Sequence, residues 1–284
     1  MNKKASLLHT TSADLLQTLE IHNALRTTFV ARTIYLFTSL ESTNQTALKI
    51  AGTSAASSGM IPEGTLILAE SQTQGRGRLG RRWISPPGVN LYASFILRPN
   101  IPVRDTPVVT CLAAVSIVQA VRVCTHLEAV IKWPNDVLIH EKKVAGILTE
   151  LCLVQNQVNY LVIGMGVNVN LDVEMLPAEV RTTATSLKAK FGRIVNRNKL
   201  LAEICNKLEE NYNRLLIQGT ASILSEFCSL TSTLGKRVKV TTSVKTIEGW
   251  AEDVDPHGAL ILRMEGQTRE RIHSGDVIHL RNSE

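Results

Sequence analysis

The segment PVVTCLAAVSIVQAVRV at 107–123 limits the folds open to this chain more than any other feature. It reads as a helix with apolar residues on every side, and such a helix must be surrounded by protein or by lipid. Thr110, Ser116, Gln119 and Arg122 interrupt it, and a membrane span takes about 20 predominantly apolar residues. It is therefore expected as a helix buried in a protein core, with no membrane involved. A chain of 284 residues is long enough to build that core without disulfide staples, and its length suggests about two domains. The 44% hydrophobic and 20% charged residues exclude a mostly disordered chain.

The rest of the chain reads as strands interleaved with helices. Residues 12–26 are expected as a helix carrying Leu15, Leu16, Leu19 and Leu25, and TIYLFT at 33–38 as a strand. A helix follows, capped by Ser42, Thr43 or Asn44 and ended by Gly52, with a small-residue loop over 52–64. TLILA at 65–69 is a short buried strand. In NLYASFIL at 90–97, Leu91, Ala93, Phe95 and Leu97 alternate with the period of a strand. After the apolar helix, AVIKW, DVLIH, KKVAGILTELCL and VNYLVIGMGVNV predict four strands with a tight turn near 140–142. Residues 197–217 form an amphipathic helix through Leu200, Leu201, Ile204, Leu208, Tyr212, Leu215 and Leu216. This order predicts an α+β fold, a mixed β-sheet with helices on one side. Beyond Thr233 the pattern changes to four short strands separated by Gly, Pro and Ser turns, which predicts a small β-barrel. The expected division is 1–33, a short helical segment; 34–232, the α+β domain; and 233–284, the barrel.

The N-terminal stretch has no apolar run of secretory type. Cys111, Cys124, Cys152, Cys205 and Cys228 form no CxxC pair, so they read as buried reduced thiols of a cytoplasmic protein, with no metal ligands assignable. The net charge of +6 is concentrated: residues 70–104 hold six arginines against Glu70 alone, while 105–234 and 235–284 are each neutral. That predicts a local anion site and no broad nucleic-acid face.

AESQTQGRGRLGRRW at 69–83 carries that charge. Gly75, Gly77 and Gly80 satisfy GxGxxG, but Trp83, Pro86 and Pro87 follow where a dinucleotide site needs a helix. A flexible arginine-bearing loop fits better. Arg76, Arg78 and Arg81 offer planar forks to phosphate oxygens, and Trp83 offers a face for a purine. A solvated basic loop and an RNA-contacting loop are the alternatives. In KWPNDV at 132–137, Lys132 precedes a turn and can either point into a site or lie in solvent, while Asp136 reads as a turn cap. Ser42, Thr43 and Asn44 can cap a helix or read a ligand with donors and acceptors together. In GMGVNVN at 164–170 the glycines permit close approach, and Asn168 can pair with an adenine edge.

Together, ESTN at 41–44, the 69–83 loop, KWPNDV, KKVAGILTEL at 142–151 and VIGMGVNVN at 162–170 resemble the biotin–protein ligases, in the family's order and over about residues 34–284. The resemblance implies a biotin/lipoate ligase-like catalytic domain with a C-terminal SH3-like β-barrel. It implies activation of biotin by ATP with Mg²⁺ to biotinyl-5′-AMP, then transfer to a lysine of a biotin carboxyl carrier protein. It places Ser42, Thr43, Asn44 and Gln72 on the ureido head, and Arg76, Gly77 and Arg78 on biotin and the adenylate. It places Lys132 between carboxylate and α-phosphate, Trp83 and Asn168 on adenine, and Arg81 on phosphate. A lipoate ligase or octanoyltransferase on the same fold is the rival reading. Only about 33 residues precede the first catalytic strand, which leaves no room for the DNA-binding winged helix of some members, so no DNA partner is expected. The oligomeric state stays open, a homodimer included.

Overall fold

The computed structural model describes residues 15–54 and 61–280. The expected helix start at 12–14 and residues 55–60 of the small-residue loop at 52–64 lie outside the described residues. Two sheets organise the chain. The first has seven strands in the order β1-β2-β3-β7-β6-β5-β4, with β1 (Ile34–Phe37) parallel to β2 (Leu66–Ala69) and every other neighbour antiparallel. The others are β3 (Leu91–Leu97), β4 (Ala129–Lys132), β5 (Asp136–Ile139), β6 (Lys142–Val154) and β7 (Gln157–Val167). The two-residue turns at His140–Glu141 and Gln155–Asn156 have positive φ throughout, the twist that suits a tight hairpin.

The apolar segment becomes α3 (Thr106–Thr125), with Pro107 in its first turn and His126 closing it in the left-handed conformation. The helix reaching back to Val103 is long and apolar enough to cross a membrane, but 72% of its most apolar window is buried inside the fold. It lies between the sheet and two further helices, α6 (Arg197–Gln218) and α7 (Thr220–Leu230). On α6, Leu200, Leu201, Ile204, Leu208, Tyr212 and Leu215 are buried as the periodicity predicts, while Leu216 faces solvent. Two short helices, α4 (Ala178–Arg181) and α5 (Leu187–Phe191), follow β7.

Helices do not keep to one side of the sheet. The helix α2 (Thr43–Ser54) packs on the opposite face, with Ala47 and Ala51 against Ile67, Ile96 and Val162. This explains why β3 is buried at every position although its sequence alternates. Leu91, Ala93, Phe95 and Leu97 enter the main core, while Ile96 faces α2. Gly52 lies inside α2 and does not end it.

The helix α1 covers only Thr18–Ala24, shorter than its pattern suggests, and Leu15 and Leu19 are exposed. Tertiary bonds claim the preceding amides: Leu16 N donates to Glu70 at 2.7 Å and Gln17 N to Asn198 at 2.9 Å. Glu70 also holds the fully buried Arg197 at 2.7 Å. The end of β2, two residues before Gln72, is thus tied to the start of α6. Removing either partner would strand a buried charge.

The C-terminal sheet has five antiparallel strands, one more than the sequence pattern suggests, in the order β11-β10-β9-β8-β12. They are β8 (Arg237–Thr241), β9 (Thr246–Val254), β10 (Leu260–Arg263), β11 (Arg269–Ile272) and β12 (Asp276–His279). Ser274 and Gly275 break the last expected strand in two. The sheet is of SH3-like barrel type but open, since β11 and β12 are its two edges. It is joined to the first sheet through Trp133, whose Nε1 donates to Gly258 O at 3.0 Å, and through Thr233, which accepts from Trp133 N at 3.0 Å.

His279 Nε2 lies 3.2 Å from Thr233 Oγ1 in this joint. Burial, then Lys236 and Lys132, push the imidazole down to about 4. An unfolded histidine titrates near ~6.5, so between ~6.5 and about 4 the unfolded chain binds the extra proton. The contribution of His279 is therefore complete above ~6.5 and is lost as pH falls through that window. The melting temperature should fall between pH 7 and pH 5, and fall less in His279→Gln. Parallel curves for the two proteins would remove His279 as the cause.

The five cysteines are free thiols, with Cys111 and Cys205 buried and the other three only partly so. Burial raises the Cys111 thiol to about 12 and Cys124 to about 11, so both stay protonated.

Candidate active site

The residues singled out from the sequence gather on the face of the first sheet that carries α2. Two glycines of β7 form the floor. Gly164 faces Asn44, and a Cβ there would run into the Asn44 amide. Gly166, two residues along, faces Trp83, and a Cβ there would lie 2.5 Å from the indole. Their cross-strand partners on β6 are Leu148 and Gly146. A slot therefore runs along β7, and residues two apart on a strand are about 7 Å apart.

The Gly164 end carries amide and hydroxyl groups, with the Arg76–Glu150 ion pair behind Asn44. Asn44 Nδ2 donates to Leu148 O at 3.1 Å and to Glu150 Oε2 at 2.8 Å, and its Oδ1 accepts from Ser94 at 2.6 Å. Thr43 N donates to Gln72 Oε1 at 2.8 Å, and Gln72 Nε2 donates to Ser85 at 3.0 Å. Ser42, Thr43 and Asn44 are all buried, and the partners of the latter two lie on β3, β6 and Gln72. These partners lie outside α2, so Thr43 and Asn44 do more than cap that helix.

The Gly166 end is cationic. Lys143 Nζ lies 5.3 Å from the Trp83 ring and 2.6 Å from Asp136 Oδ1. Asp136 is thus the partner of a site lysine and not a turn cap. A bulge aims Lys143. Val137 pairs with Ala145 but Leu138 pairs with Lys143, so Val144 is the extra residue. Val144, Ala145 and Ile147 go to the core, and Lys143 turns onto the face of Gly146.

The 75–83 loop is an ordered hairpin in this structure. Its limbs pair through Trp83 N to Gly75 O at 2.8 Å and Gly77 N to Arg81 O at 2.7 Å, with Leu79 exposed at the tip. Each arginine has a protein partner. Arg76 meets Glu150 at 3.3 Å. Arg78 donates to Asn135 at 2.8 Å and to Gly275 O at 3.4 Å, and burial pulls its pKa below the ordinary value. Arg81 holds Asp276 through both nitrogens, at 3.2 and 2.7 Å. That bond, with Lys132 and Lys143 nearby, outweighs burial and keeps the Asp276 carboxyl below its usual range.

A larger cavity of about 460 Å³ adjoins the slot and shares Gly77, Arg78, Trp83, Asn135 and Lys143 with it. Lys132, Arg81 and Asn168 line this second cavity and not the slot. Asn168 is buried, with Nδ2 on Thr185 O at 3.0 Å and Oδ1 accepting from Asn90 at 3.4 Å. Its donor and acceptor are engaged in the fold, so it shapes the wall. The cation common to both cavities beside Arg78 is Lys143, to which the sequence reading gave no role. Glu150, which joins Arg76 to Asn44, was also missed; both lie within KKVAGILTEL, the one signal that pointed there.

A slot with a neutral polar end, a cationic end and an adjoining nucleotide-sized cavity defines an enzyme that activates a carboxylic acid with a nucleotide. Comparison agrees. Residues 36–168 match the biotin/lipoate A/B protein ligase family, and 233–280 match the biotin protein ligase C-terminal domain. The bifunctional ligase/repressor BirA of Bacillus spizizenii is 35% identical, over 91% of this chain and 77% of that protein. The biotin–[acetyl-CoA-carboxylase] ligase of Mycobacterium tuberculosis is 32% identical, over 80% and 83%. A biotin protein ligase from Aquifex aeolicus, solved with biotin and ATP, is 28% identical with a TM-score of 0.74, covering 88% of this chain and all of that one. The chain belongs to the biotin protein ligase family.

Proposed function

We infer that this protein joins biotin to ATP, releasing pyrophosphate, and passes the biotinyl group from the adenylate to a lysine of a biotin carboxyl carrier protein. The observation that carries this is the polarity of the slot. Biotin has a ureido head that both donates and accepts and a carboxylate tail, and the slot offers Ser42, Thr43, Asn44 and Gln72 at one end and Lys143 with Arg78 at the other. A lipoyl or octanoyl chain has no hydrogen-bonding head to share these groups with their protein partners. The match of 233–280 to the C-terminal domain of biotin ligases supports the same choice.

In the first step the carboxylate attacks the α-phosphate, a meeting of two anions. Lys143 lines both cavities and Arg78 lies at their junction, so these two neutralise the approach. Lys132 lies on the nucleotide side, and Trp83 presents its ring between Gly166 and Lys143. Arg76 and Arg78, on the hairpin, cover the anhydride and keep water from it. Arg81 is held by Asp276 and reaches phosphate only by leaving that partner. Among the described residues no three His, Cys, Asp or Glu side chains cluster as a metal cage. The nucleotide cavity does offer the carboxylates Asp136 and Asp276, hard oxygen donors that suit Mg²⁺ carried on phosphates, where the ion would neutralise phosphate charge.

Five free cysteines agree with a cytoplasmic location. Arg78, Arg81 and Arg82 of the hairpin line the nucleotide cavity, which supports the reading of the basic excess as a local anion site. The test is pyrophosphate release from ATP with biotin, lipoate or octanoate. Release with biotin alone, and an adenylate held tightly only when biotin and ATP are both present, is expected. Equal release with lipoate would overturn the reading.

A further inference from the structure

Three cavities meet at one hydrogen-bonded pair. Arg78 and Asn135 line the slot, the nucleotide cavity and a third cavity of about 120 Å³. The third lies between the first turns of α3, at Pro107 and Thr110, the strand β6 at Thr149, and His273 in the turn after β11. The reaction inferred above has three reactants, and the first two cavities account for the acid and the nucleotide. We propose that the third cavity admits the side chain of the acceptor lysine and delivers its amine to the acyl carbonyl at the Arg78–Asn135 junction. This rests on the biotin-ligase reading.

The lining suits that side chain. Pro107, Pro134 and the protonated Cys111 give the methylene stem an apolar wall. Thr110 and Thr149 are hydrogen-bonded to each other at 2.8 Å, so the polar part of the wall is satisfied without a ligand. Among the described residues no carboxylate lines this cavity, and the guanidinium of Arg78 disfavours a second positive charge. The amine that reaches the junction is the neutral form, the one able to attack. Its nitrogen bonds to the biotinyl carbonyl carbon, the bond from that carbon to the phosphate oxygen breaks, AMP leaves with the electron pair, and the amine proton passes to water.

The test narrows the cavity from two sides. Thr149→Phe fills it from β6, and His273→Trp, at an exposed position, constricts its mouth. Both variants should keep biotin-dependent pyrophosphate release within about twofold of wild type. Single-turnover transfer to a saturating biotin carboxyl carrier domain should fall by about tenfold or more. Hydroxylamine, which has no stem to thread, should discharge the adenylate at the wild-type rate. Wild-type transfer by both variants overturns the proposal. So does hydroxylamine discharge that falls in step with transfer, since the adenylate itself would then be displaced. A wild-type protein that releases no pyrophosphate with biotin overturns the parent reading instead, a result that no variant is needed to see.

Discussion

Replacing Lys143 with alanine is expected to slow biotin-dependent pyrophosphate release by about 30- to 1000-fold, the ~2–4 kcal/mol that one well-placed charge contributes when two anions are brought together. Lys132→Ala should slow it less, because Lys132 lines only the nucleotide cavity whereas Lys143 lines that cavity and the slot. Lys143 also neutralises Asp136 at 2.6 Å, so the variant should be compared with Lys143→Ala/Asp136→Asn, which removes the stranded carboxylate. Single-turnover rates at saturating biotin and ATP decide the matter. A larger loss in Lys132→Ala than in Lys143→Ala would return the principal charge to Lys132.

Gly164→Val should abolish use of biotin at ordinary concentrations, raising the biotin requirement by about 100-fold or more. The new side chain would occupy the space of the Asn44 amide, which bonds Ser94, Leu148 and Glu150. Overpacking costs about 1–3 kcal/mol, and each buried partner left unpaired adds about as much. Gly166→Val should act at the other end of the slot, displacing Trp83 and impairing nucleotide use more than biotin use. Biotin and ATP affinities measured separately by calorimetry would separate the two. Equal effects of both variants on both ligands would mean that the floor collapses as a unit and that the slot has no distinct ends.

Elements whose burial follows their own periodicity were legible in the sequence. The alternation of β3 and the stripe on α6 each specify a core face, and the apolar character of α3 on every side specifies enclosure; these residues enter the main core as expected. Read alone, the loop, the KWPND turn and Ser42–Asn44 each left a solvated or capping role open; the resemblance joined them, and the structure lines two adjoining cavities with them. What the sequence hid depends on register. Two adjacent lysines, Lys142 and Lys143, open β6, and strict alternation would place Lys142 on the face of Gly146. One bulged residue, Val144, reverses that assignment, and nothing local to KKVAG announces it. The fold bonds of Asn168 were hidden for a similar reason, since Thr185 and Asn90 engage its amide from sites 17 and 78 residues away. The short α1 is likewise a tertiary outcome, fixed by Glu70 and Asn198.

The tip of the arginine hairpin belongs to two bodies at once. Arg78 reaches Gly275 O in the turn before β12, and Arg81 grips Asp276, the first residue of β12. A cover that shields an anhydride must also lift for AMP to leave. Here the hairpin is fastened to the other sheet by an ion pair, so lifting it would part Arg81 from Asp276. The C-terminal sheet contributes no group of the slot, yet it holds the slot's cover by a clasp.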